Sequence, residues 1–297
     1  MATFFGEVVS TFSRAVDEDE GEEDEEIRRQ LAGRRDVSIQ WSSETRTTGS
    51  AVSPNFPCSA FLIAVGANAV GFLNSFVQCC GSWEVIGAIS LWDDQVKGKD
   101  TSGQQFPADS SCLLYRLTSN PMILTCQCNC IVAEDQLFQW AEKVFENIQT
   151  RNLNVIVLSS SSVTEYKSSR SIPSIPVPFL RALKTNALQE TPHCQLLEQP
   201  NVISGLSAAV LTYCQVRQIP AVLYHCYSDI TELDTLTIEA FKPVLACKSL
   251  NSIVKESKED NTRIFLNFFA SLQDTSRSAE ILKQLVNANN VQSNLYT

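Results

Sequence analysis

Three cysteines at alternating positions, Cys126, Cys128 and Cys130, form the densest group of potential ligands in the chain. On an extended strand this alternation puts all three sulfurs on one face, spaced by about 7 Å. Such thiolates could ligate a metal. Structural zinc, however, takes four ligands and favours C-x2-C pairs, and the adjacent Cys79-Cys80 offers no such spacing. The reading adopted is a strand face packed with small apolar groups, with no metal and no cofactor. The chain has two histidines, His193 and His225. His193 lies between Pro192 and Cys194 in loop-like sequence, whereas His225 follows the apolar run Ala221–Tyr224. That run reads as a strand, which sets His225 near the carboxyl edge of a sheet, where α/β enzymes gather their sites. Gly66-Ala67-Asn68, Ser159–Ser162 and Asp229 are candidates for the same edge. Together they would suit an alternative function, a small-molecule hydrolase or phosphorylase-type enzyme. Yet the sequence holds no G-x-S-x-G elbow, P-loop, G-x-G-x-x-G or H-E-x-x-H, and a catalytic triad is defined by geometry. No catalytic residue is assigned.

The other end of the chain carries a different chemistry. A polar, loop-like stretch, Asn287–Asn294, leads to Leu295-Tyr296-Thr297. That ending combines an apolar side chain, a ring with a hydroxyl, and a free carboxylate, and it suits a flexible docking tail over 291–297.

The body reads as strands alternating with helices. Phe61–Val65 is an apolar run of strand length, ended by Gly66, and Asn68 is placed to cap the helix that follows. Ala69, Phe72, Leu73, Phe76 and Val77 form its apolar stripe. Val85–Leu91 reads as a strand. Leu113–Leu117 and Ile123–Val132 read as two more, joined by the turn signal Ser119-Asn120-Pro121. Glu134–Ile148 is a helix with Leu137, Trp140, Ala141, Val144 and Phe145 on one face, and its carboxylates concentrate early. Val155–Leu158 is a buried-type strand ending in Ser159–Ser162. Phe179–Leu183 reads as a short helix, Gly205–Gln215 as another, and Pro220 opens the strand Ala221–Tyr224. Thr237–Ala246 and Ala279–Leu285 read as helical. The alternation predicts an α/β fold: a mainly parallel or mixed central sheet with helices on both faces, in one domain.

Of the 297 residues, 44% are apolar, 19% are charged, and the net charge is -10. The charge is concentrated: Asp17–Glu26 holds nine carboxylates and one glycine, which leaves 24 acidic against 23 basic residues elsewhere. No basic stripe exists to displace counterions from phosphates, so nucleic acid is excluded as a partner. The eleven cysteines are an odd number in a long chain, several inside apolar runs, as expected of free thiols in a reducing compartment. Cys58–Cys80 carries no charge over 23 residues, long enough to span a bilayer. Gly66-Ala67-Asn68 interrupts it and Asn74 and Gln78 would face lipid, so it reads as strand, turn and helix with no transmembrane segment. Residues 1–54 read as a disordered acidic tail. Within it Phe4, Val8 and Phe12 recur at helical spacing, as in a frayed tail or a short partner-binding helix.

Several stretches carry a resemblance. They are Met1–Val9 before the acidic run, Ala64–Val70, Cys126–Gln136, Pro178–Thr185, Leu197–Asn201, Glu239–Pro243 and Gln292–Thr297. Together they resemble the proteasome assembly chaperone family, over nearly the whole chain. The resemblance implies a non-enzymatic α/β chaperone that forms a heterodimer with proteasome assembly chaperone 2. It implies that the pair binds proteasome α subunits and the α ring, promotes ring formation and suppresses off-pathway ring dimers. It also implies that a hydrophobic-Tyr-any tail, here Leu295, Tyr296 and Thr297, inserts into pockets between α subunits. The implied location is the cytoplasm, with association to the endoplasmic reticulum. The chaperone domain would cover 55–290, with an atypical insertion near 256–278 that includes the apolar run Ile264–Ala270.

Overall fold

The computed structural model describes residues 25–26, 36–42, 55–91, 112–168, 175–230 and 232–250. The acidic run before Glu25, the region 256–278, Ala279–Leu285 and the terminal Leu295-Tyr296-Thr297 lie outside the described residues. The chain separates into two compact units, Met1–Asp36 and Val37–Thr297. Every element named below belongs to the second.

Among the described residues eight strands form one sheet: β1 Ser38–Trp41, β2 Ala60–Val65, β3 Trp83–Ser90, β4 Cys112–Leu117, β5 Ile123–Cys128, β6 Asn154–Ser162, β7 Phe179–Lys184 and β8 Ala221–Ser228. Their order is β1-β3-β4-β5-β2-β6-β8-β7. β5, β2, β6 and β8 run parallel at the centre. The flanks β1, β3, β4 and β7 pair antiparallel. The sheet is therefore mixed, with its parallel part in the middle. The apolar runs β2 and β8 are buried along nearly their whole length, as a strand covered on both faces requires.

Helix α1 (Ala67–Phe72) continues through a π-turn, Leu73–Val77, and a 3-10 turn, Gln78–Cys80. Its predicted stripe Ala69, Phe72, Leu73, Phe76 and Val77 is buried. It packs on the face made by Ala60, Leu62, Ile156, Leu158, Val222 and Tyr224, where α4 (Thr235–Ala240) and the 3-10 turn Lys242–Ala246 join it. Phe72 and Phe241 meet there at 5.6 Å. Helices α2 (Leu137–Glu146) and α3 (Gly205–Val216) cover the opposite face, over Phe61, Ile63, Val155, Val157, Ala221 and Leu223. Phe145 of α2 stacks on Tyr213 of α3 at 5.1 Å.

Four expectations are corrected. Phe179–Leu183 belongs to a strand, β7, not a helix. Leu180 and Ala182 are buried on one face of the sheet, and the residues between them point to the other. A run of five apolar-rich residues fits either period, and pairing with β8 decides between them. The outer edge of β7 is partly closed by Gln195–Leu197, through Ala182 N–H to Gln195 O and Leu197 N–H to Ala182 O, both 2.9 Å.

Part of the expected tail also lies in the body. Ser38–Trp41 pairs with β3, and Val37 is buried. Trp41 packs 4.9 Å from Phe56 and lies over Gly87, where an added Cβ would stand 2.8 Å from the indole ring. β5 stops at Cys128, short of the expected Val132, and leaves Cys130 in the loop beyond.

Asn68 does not cap α1. The cap position is Gly66, at φ 88°, a left-handed conformation that favours glycine. Asn68 is buried and reaches across to the loop before α4, donating from Nδ2 to Glu232 O (3.0 Å) and accepting from Asp234 N–H at Oδ1 (2.8 Å). Asp234 in turn caps α4, accepting from Thr237 N–H at 2.9 Å. Asn68→Ala removes both bonds, which are part-buried, and leaves a small void where the buried amide stood. It is expected to lower stability by about 2–4 kcal/mol, read as a shifted urea midpoint. A loss below about 1 kcal/mol would show that water replaces both bonds.

Candidate functional site

All four parallel strands end at one edge of the sheet, and the candidate groups gather there. Ser159 on β6 and His225 on β8 are register partners. Ser159 Oγ lies 2.7 Å from His225 Nδ1, and Ser161 Oγ lies 2.9 Å from Nε2. One hydroxyl donates to the ring while the other accepts. Burial pulls the pKa of His225 down to about 4, so the imidazole is neutral at pH 7. A hydrolytic triad needs a carboxylate on one ring nitrogen and a nucleophile on the other. Here two serines take both positions, and the group is a satisfied buried histidine. Tyr227 closes it with its ring edge, centroids 4.8 Å apart.

Beside it, Arg181 of β7 donates from Nε to Glu198 Oε2 at 3.1 Å and from Nη2 to the Tyr166 hydroxyl at 3.1 Å. Its guanidinium lies 4.7 Å from the centroid of Phe179. Tyr166 donates its hydroxyl proton to Glu198. Burial alone would raise the Glu198 carboxyl. Hydrogen bonds from Tyr166 and Arg181 outweigh it and hold the carboxyl below its usual range. Every strong donor and acceptor in this group is already engaged, which suits a clamp on the chain between β6 and α3.

The cysteines behave otherwise than alternation predicts. Cys126 and Cys128 are buried on β5 with sulfurs 3.6 Å apart, while Cys130 in the loop meets Cys112 of β4 at 3.7 Å. Cys112 and Cys128 are cross-strand partners. Among the described residues no group of three or more His, Cys, Asp or Glu has the disposition to hold a metal ion. His193 stands 3.6 Å from Glu190 in the loop after β7, away from His225.

Large apolar side chains meet solvent at this edge too, although Met122 before β5, Leu196 beside β7 and Val216 at the end of α3 are exposed elsewhere. Ile131 follows β5 and is 78% exposed, Phe138 in the first turn of α2 is 59% exposed, and Val202 before α3 is 85% exposed. Ile230 and Leu236, after β8 and at the start of α4, are exposed as well. Helices α2, α3 and α4 all begin at this edge, so five large apolar groups crown one end of the sheet. Their signal in the sequence is weak, because each is a single residue in a loop or first turn.

A family model described as proteasome assembly chaperone 4 matches residues 1–272. Proteasome assembly chaperone 1 of Xenopus tropicalis is 48% identical, over all of this chain and all of its own. The Bos taurus protein of that name is 47% identical over 100% of this chain and 99% of its own, and the Homo sapiens one 44% over the same shares. The chain belongs to the proteasome assembly chaperone 1 family. It is a family of chaperones and is non-enzymatic. The relatives carry the number 1 and the family model the number 4. Full-length identity to the relatives decides for the former. A solved structure, PbaA of Pyrococcus furiosus, titled an archaeal homolog of proteasome-assembly chaperone, aligns with TM-score 0.48 at 13% identity. It covers 84% of this chain and 99% of that one. Among the described residues no helix is long and apolar enough to cross a membrane.

Proposed function

We propose that this chain is one half of a chaperone for assembly of the proteasome core particle, paired with proteasome assembly chaperone 2. The pair binds the α-subunit ring, promotes its formation and keeps rings from joining off pathway. It acts in the cytoplasm, with association to the endoplasmic reticulum. The observation that carries this reading is the match to proteasome assembly chaperone 1 over the whole of both chains, which takes in the terminal residues. The crown of exposed apolar side chains supports it. Solitary apolar groups on a surface are ordinary, but several at one edge mark a protein-binding surface.

Leu295, Tyr296 and Thr297 serve as a docking peg. The Thr297 carboxylate pairs with a cationic side chain in a pocket, worth about 1.5–3 kcal/mol. Tyr296 contributes a stiff ring at low entropy cost, and Leu295 at most about 1.5–3 kcal/mol of apolar burial. Ordering the tail offsets much of this, so the peg binds weakly alone and tightly when joined to the body's own contact.

The test is capture of α-ring intermediates by the purified chaperone pair with three tails: native, Tyr296→Ala, and one residue added after Thr297. Both altered tails are expected to weaken capture by about tenfold or more, with thermal stability and pairing unchanged. The added residue keeps every side chain and moves only the carboxylate. If that protein captures rings as well as the native one, the peg is wrong. If the native pair captures no α subunits, the assembly reading itself fails.

A further inference from the structure

The thiol group at the carboxyl edge is unusual for a core. Cys112, Cys126 and Cys128 are buried, Cys130 is half-buried, and the two close contacts are Cys126 with Cys128 and Cys112 with Cys130. A buried polar group points the same way. Trp140 Nε1 of α2 is fully buried and makes no regular hydrogen bond, yet it is near enough to the Cys112 sulfur to favour its thiolate.

The two contacts differ in freedom. Cys126 and Cys128 are alternate residues of one strand, with Cα atoms about 6.8 Å apart, at the far limit for a disulfide. β5 is paired on both sides and is held in place. Cys112 opens β4, and Cys130 stands in the loop after β5, outside the strand. Their sulfurs need to close from 3.7 Å to about 2.05 Å, a movement the loop can supply.

We propose that Cys112 and Cys130 are a reversible modification site that a hydroperoxide converts to a disulfide. Cys130, the less buried of the two, reacts first. With hydrogen peroxide its sulfur takes one oxygen to become a sulfenic acid, and water leaves. The Cys112 thiolate then attacks the Cys130 sulfur. The S–O bond breaks, the leaving hydroxide takes a proton to become a second water, and the S–S bond forms. Two electrons pass from the thiol pair to the peroxide, and a dithiol reductant returns them. Burial alone would raise the Cys112 thiol, but the Cys128 and Cys130 thiols and the nearby Trp140 indole N–H hold it well below the usual thiol range. Burial raises Cys126 and Cys128 instead, so the resolving role falls to Cys112.

The sequence makes the test direct. Trypsin cuts after Arg116, leaving Cys112 in fragment 100–116 and Cys126, Cys128 and Cys130 in fragment 117–143. The folded full chain, treated with hydrogen peroxide at a few equivalents, is expected to yield these fragments joined and lighter by two hydrogens. Dithiothreitol should separate them. Cys130→Ser and Cys130→Ala should each abolish the joined product, while Cys128→Ser should retain it. Thermal melts establish that each variant is folded. The oxidised chain is expected to melt several degrees higher, because the link closes a loop in the unfolded state. Three results would overturn the proposal: no joined product while Cys130 becomes sulfinic acid, a joined product that survives in Cys130→Ser, or stoichiometric zinc that peroxide releases from the cluster.

Discussion

Phe61→Ala is expected to lower stability by about 3–5 kcal/mol, among the largest losses any single truncation of this chain produces. Phe61 is fully buried in β2, with parallel strands on both sides. Its register neighbours are Leu124 and Val155, and its ring meets Phe145 of α2 edge-on at 5.9 Å. The ladders on either side fix the backbone, so the vacated volume cannot be closed by moving the strand, and the cavity cost adds to the lost burial. Phe138→Ala, at an exposed ring, should change stability by less than about 0.5 kcal/mol. Urea unfolding of both variants checks the pair. Equal losses would mean that Phe138 is covered in solution or that β2 repacks freely.

Acid is expected to destabilise the body well before its carboxylates titrate. The folded pKa of His225 is about 4, against an ordinary value of 6.5. Above pH 6.5 neither state binds the proton and nothing is lost. Between pH 6.5 and 4 the unfolded chain takes it up and the folded one does not, so stability falls with pH, by about 3 kcal/mol at pH 4. The depressed carboxyl of Glu198 acts in a lower window, its contribution being lost only as pH falls below the unfolded carboxylate value. His225→Gln keeps a donor and an acceptor between Ser159 and Ser161 but cannot titrate. Unfolding followed from pH 7 to pH 4 should show a steep limb for the native chain and a flatter one for the variant. Identical limbs would place the responsible proton elsewhere.

What the sequence made legible follows the range of the forces involved. β2, α1, the β4–β5 hairpin and α2 announce themselves by local periodicity and turn chemistry. β7 is ambiguous in sequence because its five-residue core, Phe179–Leu183, satisfies i, i+4 spacing as well as alternation. Only β8, some forty residues later, selects the extended form. β1 carries little local signal because Ser38–Trp41 offers two apolar side chains beside Ser/Thr-rich sequence, and its partner β3 is far along the chain. Asn68 resembles a cap because caps are local, whereas its partners are Glu232 and Asp234. The carboxyl-edge location of His225 and of Ser159–Ser162 was legible from strand direction alone. That Ser159 and Ser161 occupy both ring nitrogens was not, since two strands must register before they meet. The proposed role of Leu295, Tyr296 and Thr297 rests on kinship with the family.

The strand order also says something about the chain's birth. β7 is made before β8, yet among the described residues β8 is its one neighbour in the strand order and separates it from β6. As the ribosome works from the N-terminus, β6 emerges with one edge ready for β2 and the other bare. β7 follows, and only Gln195–Leu197 is at hand to meet its outer edge, while the edge that will face β8 stays bare. β8 is complete only roughly 65 residues after β6, a gap of about 3–13 s at ordinary elongation rates. Through that interval the apolar edge of β6 and the inner edge of β7 are open to wrong neighbours. A protein whose family assists assembly thus passes through a vulnerable stage of its own, one that ends when β8 slots between the two waiting strands.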